Sequence, residues 1–137
     1  MQIKLDAADI EFSKYIRLRD KRCLRCGSQV KINPRGLPIS HQASHYFGRG
    51  KESTRFDPEN VDCLCYGCHQ YWGSVDRESY REFKIKHLGQ NKFKLLTLRA
   101  NQTVKKDRKL SLIKASELLK TVRLKTAKFT VNKNISY

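Results

Sequence analysis

The chain has 137 residues, 39% of them hydrophobic, which suffices for one modest core and excludes two independent ones. Its 29 lysines and arginines against 13 acids give a net charge of +16, more than solubility requires, and point to a polyanionic partner. No apolar run approaches the roughly 20 residues that span a bilayer, and the start MQIKLDAADIEF lacks the basic-then-apolar layout of a secretory signal. No membrane partner is therefore expected, and a cytosolic location is.

In chain order, residues 1–22 carry the first element. Ile10, Tyr15 and Ile16 recur at helical spacing between Asp9 and about Arg19, with acids early and bases late, as the helix dipole favours. Residues 23–89 follow as the expected core. Within them, residues 27–60 hold all three prolines and four of the seven glycines, which predicts strands and loops, including a hairpin. The segment Ser74 to Leu88 reads as a helix, with Ser74 or Asp76 as cap and Gly89 as stop. Residues 90–125 continue with helical patterns from about Asn91 to Val104 and from about Leu112 to Leu124. Residues 126–137 show no convincing period and are expected to form a flexible tail. The fold class is α+β.

Two Cys-x2-Cys pairs, Cys23/Cys26 and Cys65/Cys68, stand 38 residues apart. Each pair can offer two thiolates to one ion from a tight turn, and together they make the all-thiolate tetrahedral set that structural Zn2+ prefers. An odd total of five cysteines argues against a disulfide framework. Cys63 could replace Cys65 in principle, but only Cys65 completes the spacing, so Cys63 reads as a buried thiol. Tyr71 and Trp72, after the second pair, are read as core in preference to base-stacking residues.

The insert between the pairs and the residues just beyond it contain His41, His45, Asn60 and His69. The order of His45, then Asn60 in Asp-Pro-Glu-Asn-Val, then His69 after Cys-x2-Cys resembles the HNH, or ββα-metal, endonucleases. The segments FSKYIRLRD (12–20), SHYFGRG (44–50) and TRFDPENV (54–61), with the two cysteine pairs, are more narrowly similar to phage recombination nucleases of the NinG or Rap type, over about residues 9–100. The resemblance implies a zinc-pinned ββα core and metal-dependent phosphodiester hydrolysis that leaves 5′-phosphate and 3′-hydroxyl ends. It implies His45 as general base, His69 as ligand of a catalytic divalent ion (Mg2+ or Mn2+), and Asn60 as brace of the loop between them. The expected partner is DNA, branched or partly single-stranded, such as Holliday junctions and D-loops in a phage-infected bacterial cytoplasm. A two-fold junction would favour a homodimer.

One departure stands out. Many HNH enzymes carry Asp before the catalytic His as second metal ligand, whereas Ser44 stands here, and a hydroxyl is a poor substitute for a carboxylate. His41, four residues before His45, would share a strand face with it and is a candidate for the missing ligand, with Asp57 and Asp62 as more remote ones. Arg49 and Arg55 flank the hairpin turn and either clamp phosphates or stand solvated.

The basic excess is concentrated late: residues 86–137 hold 14 bases and 2 acids. Lys92, Lys94, Arg99, Lys105, Lys106, Arg108 and Lys109 are the expected backbone-binding residues, giving salt-dependent affinity with little sequence preference. Two alternatives stay open: an HNH enzyme nicking ordinary duplex, and a zinc-stabilised nucleic-acid-binding module without catalysis.

Overall fold

The computed structural model describes residues 4–135, with side chains described as far as Thr126. Helix α1 (Ala7–Asp20) starts two residues earlier than its periodicity predicts. Asp6 caps it reciprocally, accepting from the Asp9 amide while the Asp9 carboxylate accepts from the Asp6 amide, so two orphan donors are satisfied at once. It ends where Lys21 turns left-handed at φ 65°.

Strands β1 (Gln42–His45) and β2 (Val61–Leu64) pair antiparallel, with His45 opposite Val61 and Ser44 opposite Asp62. A one-turn helix α2 (Glu52–Arg55) lies in the loop between them. Helix α3 (Tyr66–Gln70) follows and runs into a π-type turn at Tyr71–Val75. Helix α4 (Arg77–Leu88) has Asp76, one of the two candidate caps, as its cap, starting three residues after Ser74, and Gly89 at φ 86° as its stop. Helix α5 (Gln90–Ala100) ends four residues short of the predicted Val104. Helix α6 (Arg108–Ile135) begins before Leu112 and runs beyond the predicted end at Leu124, so the backbone expected to be flexible from residue 126 is helical through Ile135; positions 136 and 137 lie outside the described residues. Among the described residues, no helix is long and apolar enough to cross a membrane.

A two-stranded sheet is at best marginal alone, and this one is covered on both faces. Ala43, Val61 and Cys63 face Phe12 and Ile16 of α1 and Ala115 of α6. The alternate positions face the other way, where Leu64 packs with Trp72, Tyr80 and Phe93. The outer edge of β2 is also covered, because the Cys63 amide donates to Asp20 and its carbonyl accepts from the Leu24 amide. The core therefore draws on α1, α5 and α6 as well as on the sheet and α4.

Behind β1 and β2 lies a buried polar network. Asp62 accepts from the Tyr80 hydroxyl at 2.9 Å and pairs with Lys84 at 3.1 Å, both charged side chains being 1% exposed. The Tyr80 hydroxyl also reaches the carbonyl and hydroxyl oxygens of Ser44. Burial pulls the Lys84 ammonium below its ordinary range, and the Asp62 carboxylate opposes that shift. Removing one partner strands the other charge in the interior, so Lys84→Met should lower unfolding free energy by roughly 3–5 kcal/mol, read by urea denaturation.

Candidate functional site

The two cysteine pairs meet. The sulfurs of Cys23, Cys26, Cys65 and Cys68 all lie within 4.8 Å of one another, and Cys26 Sγ is 3.8 Å from Cys65 Sγ. A Zn–S bond of about 2.3 Å places tetrahedral thiolates about 3.8 Å apart, so the donor set fits zinc in both chemistry and spacing. The first pair turns at Gly27, whose φ is 81° and whose amide donates to the Cys23 carbonyl. The second pair runs from the cap of α3 into its first turn, with the His69 amide donating to the Cys65 carbonyl. Arg25 lays its guanidinium 4.3 Å from the Tyr71 ring centroid and donates to Cys68 Sγ at 3.3 Å, which lowers the negative charge a four-thiolate site concentrates. Cys63 is fully buried in the α1-facing core, which pushes its thiol up to about 12, and it takes no part in the cluster.

His45 ends β1 on the face turned toward α1, its ring centroid 6.5 Å from that of Phe12. Its Nε2 lies 2.8 Å from the carbonyl of Arg55. A carbonyl only accepts, so Nε2 carries the proton and Nδ1 holds the lone pair. That Nδ1 is buried with no partner among the described residues, and so is His69 Nδ1. Arg49 lies close enough to influence both rings, and its own Nε is buried without a partner. Burial first, and then the Arg49 charge, lower His45 from its ordinary 6.5 to about 4 and also lower His69. Both imidazoles are neutral at pH 7.

Asn60, fully buried, spans the loop between the strands. Its Oδ1 accepts from the Phe47 amide at 2.8 Å, and its Nδ2 donates to the carbonyls of Phe47 and Thr54, each at 2.9 Å. Three bonds from one side chain hold the turn that carries Arg49 between fixed points.

Other expected site residues sit elsewhere. His41 does not extend β1: it precedes the strand with φ 67°, and its ring nitrogens are engaged by Ser40 at 2.9 Å and Ser28 at 3.0 Å, on the side of the cysteine cluster. His41, expected on the His45 strand face, therefore does not share it. Asp62 is held by Tyr80 and Lys84, and Asp57 by Arg99 and the Glu59 amide. Arg55, expected as a phosphate contact, is 1% exposed and pairs with Asp9, so its side chain serves the interior. Arg99 pairs with Asp57 and Glu59, and Arg108 with Asp6 and Glu52. Lys92, Lys94, Lys105, Lys106 and Lys109 are exposed. Trp72 is stacked in the core on Tyr80, whereas Tyr71 lies at the surface.

Among the described residues, the four cysteines are the one group of three or more His, Cys, Asp or Glu side chains arranged to converge on an ion. The purified chain should carry one Zn2+, released in proportion to thiols blocked by a mercurial. Cys68→Ser should abolish that stoichiometry, and Cys63→Ser should retain it while costing core stability. Acid provides a second check. The unfolded His45 protonates near 6.5 and the folded one near 4, so stability is complete above the first value and falls as pH drops toward the second. Urea midpoints at about pH 7 and pH 4.5 should show this loss, and His45→Gln should reduce it.

No curated protein and no solved structure matches the chain at a significant level. The family model described as "Bacteriophage Lambda NinG protein" matches residues 5–128, nearly the whole described chain including both cysteine pairs, His45, Asn60 and His69. The chain belongs to the bacteriophage lambda NinG family.

Proposed function

We propose that this chain is a metal-dependent DNA endonuclease of the HNH type, acting in phage recombination on branched intermediates such as Holliday junctions and D-loops. Family membership supports the coarse role in recombination. The observation that carries the chemical reading is His45: a half-buried, neutral imidazole whose Nε2–H is fixed on the Arg55 carbonyl and whose Nδ1 is enclosed with no partner among the described residues. A structural histidine in a core normally has both nitrogens engaged. Here the free lone pair is on the atom a general base would use. The chain order β1, β2, α3 is that expected of a ββα-metal nuclease, with His45 closing β1 and His69 on α3.

In this reading, His45 Nδ1 takes a proton from a water whose oxygen attacks phosphorus in line with the 3′ oxygen. The phosphorus to 3′-oxygen bond breaks, solvent protonates the leaving oxygen, and 5′-phosphate and 3′-hydroxyl ends result. Arg49, a desolvated guanidinium with a donor to spare, binds the scissile phosphate. A phosphate beside His45 offsets the cationic field of Arg49 and makes the imidazole a stronger base than in the free protein. Asn60 keeps the loop in register. His69 would hold the divalent ion, which when bound would supply positive charge to the phosphate and leaving oxygen. Because imidazole suits borderline ions, Mn2+ or a similar ion fits a His69 ligand better than Mg2+. The exposed lysines supply sequence-independent affinity that falls steeply with salt. A homodimer would cut both equivalent strands of a two-fold junction.

Ser44 favours one competing reading. It is buried and bonded to Tyr80, so nothing replaces the missing metal-binding Asp, which suits a zinc-stabilised binding module without catalysis. Labelled four-way junction, fork and linear duplex, incubated with Mg2+, Mn2+ or EDTA, separate the two. Cuts near the branch should require metal, and His45→Ala should slow single-turnover cleavage about 10²- to 10⁴-fold while junction affinity is unchanged. Preferential cutting of linear duplex would indicate a nicking enzyme. Junction binding without cleavage under any metal would support the binding module and contradict the nuclease reading.

A further inference from the structure

The C-terminal end of α2 is where the site meets the N-terminal helix. A one-turn helix leaves its last carbonyls largely unpaired by its own backbone, and here two accept from site side chains. Thr54 takes the Asn60 Nδ2 proton and Arg55 takes the His45 Nε2 proton. The residue presenting the second carbonyl is itself clamped. Arg55 donates through Nε and Nη2 to the two carboxylate oxygens of Asp9, at 2.9 and 2.5 Å, and Nη2 also reaches the Lys4 carbonyl at 3.3 Å. The paired side chains are 2% and 4% exposed. Asp9 is held in turn by the Asp6 amide, so the clamp is anchored at its far end.

We propose that the Asp9–Arg55 ion pair is the positioning device of His45, holding the Arg55 carbonyl on Nε2 so that Nδ1 keeps its lone pair for the reaction; this rests on His45 serving as the base. Neither residue touches substrate. The pair is a poor choice if tying α1 to the core were its whole purpose, because apolar residues of similar volume usually serve as well or better. That attachment also exists independently: Phe12 and Ile16 are buried against the sheet, and Arg19 donates to the carbonyls of Pro58 at 2.8 Å and Val61 at 2.7 Å. What a bidentate buried pair adds is direction, since two parallel bonds fix the guanidinium plane and thereby limit movement of the residue that carries it. Its two charges act in opposite senses on His45, so orientation is its principal effect.

The test uses the full, zinc-loaded chain with Asp9→Asn, Arg55→Lys and, as control, Arg19→Lys, which loosens α1 without touching the acceptor of His45. Imidazole 15N NMR reads the tautomer, and cleavage of a four-way junction reads kcat and KM. Wild type and Arg19→Lys should show one neutral His45 tautomer, with the proton on Nε2. Asp9→Asn should show a tautomer mixture and a kcat lower by roughly 10- to 100-fold, with KM changed less than about twofold. Arg55→Lys retains part of the pairing and should fall between, and it serves alone if Asp9→Asn does not fold. A single Nε2–H tautomer in the Asp9 and Arg55 variants, or a kcat loss that Arg19→Lys matches at equal Tm, overturns the proposal. If the wild type cuts no DNA, the nuclease reading falls, and the tautomer alone decides whether the pair positions His45.

Discussion

Everything in the site depends on the four sulfurs of Cys23, Cys26, Cys65 and Cys68 coming together. Their convergence closes a 38-residue segment whose only regular elements are two four-residue strands and one helical turn. Such a segment buries too little to order itself. A bound Zn2+ would contribute its binding free energy directly to folding, since the unfolded chain offers no preformed site. The backbone position of His69 is then a consequence of the cysteines: it follows Cys68 within α3, so the turn that places a thiolate on the cluster also fixes the residue after it.

Within that frame the finer geometry is set by polar groups inside the protein. Asn60 braces the loop, the Arg55 carbonyl orients His45, and the Tyr80, Asp62 and Lys84 network stiffens the opposite face of the sheet. Charge is divided by residue type. Arg55, Arg99 and Arg108 are engaged by carboxylates, where a planar fork suits fixed geometry, and Lys84 is buried against Asp62, while Lys92, Lys94, Lys105, Lys106 and Lys109 stay in water as mobile charges. A high count of basic residues therefore overstates the charge free to meet a partner.

Much of this was legible in the sequence where one residue type has one use. The cysteine spacing announced the cluster, and Asp76 and Gly89 announced both ends of α4. The bracing of the loop by Asn60 follows the order of a motif and not any local pattern. The failures share a cause, which is that backbone conformation and backbone acceptors leave no residue signature. Counting from His45 puts His41 on the strand, but its left-handed backbone breaks the count. Arg55 looked like a turn arginine because nothing local reveals that Asp9, 46 positions away, receives it. The later residues of α6 lack an apolar stripe that would signal a helix, and the helical backbone continues regardless.

His45 is proposed to activate water against a phosphodiester. The most direct measurement is single-turnover cleavage of a four-way junction in H2(18)O with Mn2+, the product ends being read by mass spectrometry. The account requires one 18O on each new 5′-phosphate, an unlabelled 3′-hydroxyl opposite it, and loss of this product in His45→Ala. Product ends bearing a 3′-phosphate, or undiminished 18O incorporation by the His45 variant, would contradict it.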